Sequence, residues 1–93
     1  MGSRMGLYKF EWNLVRMGSI CGLFIAEQKD VINSVGKKVH FGEVLGRHSE
    51  IYGILEYKDF LLITEDKLVL MILEEQCKGK TIVGYNPLDY ISR

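Results

Sequence analysis

One proline, two cysteines and no excess of either charge in 93 residues exclude several classes at once. The two cysteines form no C-x-x-C pair and have no nearby histidine partner, so neither a disulfide scaffold nor a zinc framework is encoded. Twelve basic residues balance twelve acidic ones, which removes any global attraction to nucleic acid or to an anionic membrane surface. Long hydrophobic runs are missing too. The longest, Leu68 to Leu73, is six residues, where a bilayer-spanning helix needs about twenty. The opening MGSRMGLYKFEW has charges and glycines where a secretory leader would carry an apolar stretch. No membrane and no nucleic-acid partner is expected, and Cys21 and Cys77 read as free thiols, small core hydrophobes in a reducing cytoplasm, with a disulfide between them the competing reading.

What is present describes a folded domain. Hydrophobic residues make up 47% of the chain, too many for a disordered segment. Residues 1–6 are polar and glycine-rich and read as a flexible N-terminus; residues 7–93 read as a single domain. A chain of this length buries only about two-thirds of its unfolded surface. Yet Ile20 to Ala26, Phe60 to Ile63 and Leu68 to Leu73 are apolar on both faces, and an element apolar all round must be covered on every side. Some of that cover is expected from a second copy of the chain, so a homo-oligomer is expected; a monomer with one dense core is the competing reading.

The periodicities place the elements. Tyr8, Phe10, Trp12 and Leu14 alternate with Lys9, Glu11 and Asn13, the period-two pattern of a half-buried strand, and Ser19 to Ala26 returns as a second strand of a hairpin over residues 7–26. Between Glu27 and Val35 a short helix is expected with Val31, Ile32 and Val35 on one side and Gly36 just past its end. Val39 to Leu45, Ile51 to Tyr57 and Phe60 to Thr64 read as three strands of an antiparallel meander. Thr64, Glu65 and Asp66 offer caps for a helix over Lys67 to Cys77, closed by Lys78-Gly79; a strand over Leu68 to Leu73 is the competing reading. Thr81 to Tyr85 suits an edge strand, and Asn86-Pro87 starts one last helical turn. The fold class is α+β: a mainly antiparallel sheet, built from the N-terminal hairpin and the meander, with two helices and a short C-terminal helical turn.

One polar constellation stands out. Gly42, Gly46 and Gly53 bracket a stretch holding Arg47, His48, Ser49, Glu50 and Tyr52. Glycine allows close backbone approach to a ligand, arginine grips carboxylate or phosphate with two prongs, and histidine donates or accepts near neutral pH. Gly46, Arg47, His48, Ser49, Glu50 and Tyr52 are the candidate ligand-binding residues. The competing reading is a solvated hairpin tip in which Arg47 pairs with Glu50 and Gly46 permits a bulge.

Catalytic signatures fail. The glycine spacing matches neither G-x-G-x-x-G nor a P-loop, and Gly79-Lys80-Thr81 lacks the upstream glycine and preceding strand that a phosphate loop needs. His40 and His48 lie eight apart, which is no zinc spacing. Ser49 and His48 are neighbours and point to opposite strand faces, so they form no triad. A hydrolase using His48 with Glu50, or the carboxylates of Glu43 and Glu50, is the enzymatic alternative; no cofactor and no metal are expected.

The stretch His40-Phe41-Gly42-Glu43-Val44-Leu45-Gly46-Arg47-His48-Ser49-Glu50-Ile51-Tyr52-Gly53 resembles a segment of short, uncharacterised proteins of bacteriophages and mobile elements. The resemblance covers residues 40–53 and brings no assigned chemistry. It implies a phage-encoded protein working in the cytoplasm of the host cell, where small neutral proteins act by binding. The expectation is a non-enzymatic binding protein that counteracts host defence by sequestering an anionic small molecule such as a signalling nucleotide. The alternative is a protein–protein inhibitor that binds and blocks a host defence protein.

Overall fold

A computed structural model describes residues 4–14, 18–42 and 50–91. Strands β1 (Met5–Asn13) and β2 (Ser19–Glu27) form the long hairpin that the alternation predicts. Its register sets Tyr8 opposite Phe24, Phe10 opposite Gly22 and Trp12 opposite Ile20. Opposed residues share a face, so the aromatics of β1 and the apolar residues of β2 make one continuous inner surface. That surface carries the main core, with Phe10 and Phe24 fully buried. Burial pushes the Tyr8 phenol above its usual value, with the negative charge of Glu65 and then Tyr57 adding to the rise, so this ring stays protonated in the core.

Helix α1 (Gln28–Ser34) follows β2 directly. It turns Val31 and Ser34 inward, and Ile32 stands half exposed. Ser34 takes the inward place because its hydroxyl is satisfied there, donating to the Val31 carbonyl at 2.6 Å. The expected apolar face of Val31, Ile32 and Val35 is corrected to that extent. Gly36, at a φ of +89°, ends the helix as expected.

Strands β3 (Lys38–Gly42) and β4 (Ile51–Ile54) pair with each other in a separate two-stranded sheet. The expected three-stranded meander does not form. A 3₁₀ turn over Tyr57–Asp59 carries the chain away from β4, and β5 (Phe60–Thr64) joins the far side of β1, giving a four-stranded antiparallel sheet of order β5-β1-β2-β6. Aromatic burial explains the choice. In this position Phe60 lies opposite Phe10 and packs within 5.8 Å of its ring and 6.2 Å of Phe24, contacts that an edge on β4 would not supply.

Helix α2 (Lys67–Cys77) crosses the opposite face of the four-stranded sheet and leads into β6 (Thr81–Gly84) at its other edge. The helix, not the competing strand, forms over Leu68–Leu73. Asp66 caps it by accepting from the backbone N–H groups of Leu68 and Val69 at 2.9 and 3.3 Å. Asp66→Ala should lower stability by about 0.5–2 kcal/mol, read as a shift of the urea midpoint. At the C-terminal end the left-handed position falls on Lys78, with a φ of 54°, one residue before Gly79. A second, smaller core forms where Leu70 meets Leu7 and Ile25.

Because both faces of β2 meet other elements of the same chain, the apolar run Ile20 to Ala26 needs no second copy. The other two runs differ: Leu61, Leu62 and Ile63 on β5 and Leu68, Val69, Met71 and Ile72 on α2 are exposed. Cys21 and Cys77 are free, as expected, but both are exposed and neither belongs to the core. Strand alternation decides the first, since Ile20 and Gly22 take the inward positions beside it. A closing 3₁₀ turn, Pro87–Tyr90, is capped by Asn86, whose side-chain oxygen accepts from Leu88 N at 3.0 Å. No helix among the described residues is long and apolar enough to cross a membrane.

Candidate functional site

The β3–β4 hairpin sets the described part of the polar constellation, Glu50 and Tyr52, on a packed base. Val39, Phe41 and Ile51 turn inward and are buried. Phe41 meets Tyr90 at 4.9 Å and takes the edge of Trp12 at 5.5 Å. The Trp12 indole also lies across Gly53, where a β-carbon would stand 3.1 Å from its ring. The indole N–H donates to the Asp59 carboxylate at 2.8 Å, and the same oxygen accepts from Glu56 N at 2.9 Å. Ile91 bridges to Val39 on the hairpin's outer edge. One indole therefore links the long hairpin, the short hairpin and the turn that follows it.

Two of the three bracketing glycines find structural employment here. Gly53 leaves room for the indole. Gly42 sits at a φ of +76° beside a break in register, His40 pairing with Tyr52 and Gly42 with Ile51. Phe41 is thus an extra residue on β3, a bulge of the kind glycine permits. The sequence suggests such a device at Gly46, which lies outside the described residues; one is found at Gly42.

The outward face of the hairpin is polar and aromatic. His40 and Tyr52 face each other across the strands with rings 6.0 Å apart and inclined by 27°. The Lys38 ammonium lies 4.9 Å from the Tyr52 ring centre, within cation–π range. Glu50 approaches His40 Nε2 at 3.3 Å, an exposed contact that adds little stability. Of the candidate residues, Glu50 and Tyr52 are brought together on this face. Gly46, Arg47, His48 and Ser49, with Glu43, lie outside the described residues, on the segment that joins Gly42 to Glu50.

Two members of the cluster, Lys38 and His40, are absent from the candidates read from sequence. Their signal was available: they alternate with the apolar Val39 and Phe41, so both must leave the strand on the solvent side. Only the pairing register sets them against Tyr52. The face offers a cation, a flat aromatic surface and hydrogen-bonding groups. No group of three His, Cys, Asp or Glu side chains able to hold a metal ion occurs among the described residues. A concavity of about 590 Å³ lies elsewhere, between α2 and the sheet, with Arg4, Glu65, Lys67 and Glu74 around Ile25 and Leu70. No family model, curated protein or solved structure matches the chain.

Proposed function

We propose that this chain is a small non-enzymatic binding protein whose ligand, an anionic small molecule such as a nucleotide, meets the tip and outer face of the β3–β4 hairpin. The observation that supports it most is the exposed cluster of Lys38, His40 and Tyr52, at the foot of the segment that carries Arg47 and His48. Tyr52 offers a base a stacking surface, worth about 1–3 kcal/mol per base in single-stranded nucleic-acid sites. Lys38 and Arg47 supply positive charge for phosphate. In this reading the protein is phage-encoded, acts in the host cytoplasm as a homo-oligomer and withholds a signalling nucleotide from host defence.

Native mass spectrometry of freshly purified protein, before and after denaturation, tests this directly. The expected result is added mass that leaves as an intact small molecule with nucleobase ultraviolet absorbance. Arg47→Ala should abolish retention with the thermal midpoint nearly unchanged; a large fall in that midpoint would make Arg47 structural. Ligand returned chemically altered would instead indicate a hydrolase using His48 and Glu50. The exposed apolar residues of β5 and α2 favour a second reading, a protein–protein inhibitor of a host defence protein. That reading predicts a bare species by mass and a stable complex in a pull-down.

A further inference from the structure

Helix α2 carries two apolar stripes. Leu70 and Leu73 turn toward the sheet and pack around Leu7 and Ile25. Leu68, Met71 and Ile72, at spacings of three and four residues, form a second stripe that is 48% to 61% exposed. Spacing of this kind is a helix-packing seam, and among the described residues no element covers it. Leu61 on β5 and Val83 on β6 add exposed apolar surface on the same side of the sheet, since they pair with Lys9 and Leu23.

We propose that a second copy of this chain covers the seam, with α2 packed antiparallel on its counterpart across a two-fold axis. This specifies the self-association stated above, and it does not depend on the hairpin's ligand. Charge complementarity singles out the partner and the direction. Lys67 and Glu74 border the same groove beside α2, so they share one flank of the helix. Among the described residues neither has an ion-pair partner. An antiparallel two-fold brings Lys67 of each copy to Glu74 of the other, twice per dimer. A parallel two-fold would carry the charged flanks to opposite sides of the seam and leave both pairs unmade.

Area agrees. Leu61, Leu68, Val69, Met71, Ile72 and Val83 are each 39% to 61% exposed. Together they offer roughly 600 Å² per protomer, or about 1,200 Å² for the pair, at the lower bound of a specific stable interface. The contact is isologous, so it closes at two copies. Of β5 only Leu61 enters this contact; Leu62, paired with Tyr8, lies on the opposite face of the sheet.

Sedimentation velocity and native mass spectrometry at tens of micromolar decide it. Wild type should run at twice the 10.7 kDa chain mass. Ile72→Glu should run as the single chain with an unchanged far-ultraviolet circular dichroism spectrum. Leu68→Gln provides a milder variant with the same expected loss should the first disturb the helix. Lys67→Glu should weaken the dimer several-fold, and Lys67→Glu combined with Glu74→Lys should restore it. Leu62→Lys on β5 should leave the dimer intact. A single-chain wild type, or a dimer that survives both α2 variants, overturns the proposal, and a charge swap that fails to restore association overturns the antiparallel geometry. Small-molecule mass is read in the same spectra: a ligand-free dimer defeats the hairpin reading and leaves this one standing, and a ligand-bearing single chain does the reverse.

Discussion

Phe10→Ala should lower the unfolding free energy by about 3–5 kcal/mol, the largest effect expected of any single truncation in the chain. Phe10 is fully buried and its ring is surrounded by other rings: Trp12 at 5.4 Å, Phe60 at 5.8 Å and Phe41 at 5.9 Å. Those neighbours come from β1, β5 and β3. The ring is the point at which the four-stranded sheet, its edge strand and the short hairpin meet, so its loss leaves a void that no single element can close. Domains are stabilised by only about 5–15 kcal/mol in total, and the second core, around Leu7, Ile25 and Leu70, is smaller. Urea unfolding followed by circular dichroism should show the midpoint falling by about a fifth or more with little change in slope. A shift below about 1 kcal/mol would mean that the aromatic cluster repacks freely around the gap.

The second large effect is expected at Gly22. A methyl group there would run into the Tyr85 carbonyl oxygen and would lie 2.7 Å from the backbone nitrogen and carbon of the same residue. Gly84, paired with Gly22 across β2 and β6, faces the same restriction from the Cys21 carbonyl. The two glycines let the strands close tightly enough for Tyr85 N to donate to Cys21 O at 3.1 Å. Because the obstacle is backbone and not the end of a side chain, Gly22→Ala must displace β6 or bend β2. The expected cost is at the upper end of the 1–3 kcal/mol typical of overpacking, with loss of hydrogen-exchange protection over Thr81 to Tyr85. Gly42→Ala is the control: among the described residues nothing lies within 4 Å of its added carbon. Its φ of +76° alone should cost about 1–2 kcal/mol. If the two variants prove equal, the close approach at Gly22 carries no special weight.

How much of this fold is legible in the sequence varies with the physics involved. Local chemistry is well written. The limits of α2 follow from the Asp66 cap and the run of good helix formers, and β5 begins and ends at the residues its composition indicates. Partner choice is not written in the same way. Phe60 to Thr64 reads as a strand from its own residues, but nothing within it distinguishes an edge on β4 from an edge on β1. Only the ring packing of Phe60 with Phe10 and Phe24 decides, and those residues are distant in sequence. The faces of α1 fail for a related reason: in seven residues a satisfied serine displaces an isoleucine from the buried side. At the candidate site, sequence gives Glu50 and Tyr52 by residue type. Lys38 and His40 become visible only once β3 is laid against β4 and the bulge at Gly42 sets the register.

Trp12 is the sole tryptophan of the chain, and its placement has a practical consequence. Its indole touches Gly53 on the inner side of the strand that presents Tyr52 outward, and its N–H is tied to Asp59. The protein thus carries an optical reporter fixed to the underside of its own candidate binding platform. Undocking of the short hairpin would hydrate the indole and move its emission to longer wavelength. A ligand that braces the hairpin would hold the emission where it is and raise the temperature at which the shift occurs. Binding at the proposed outer face would therefore be followed in unlabelled wild-type protein, from a residue on the inner side of the hairpin.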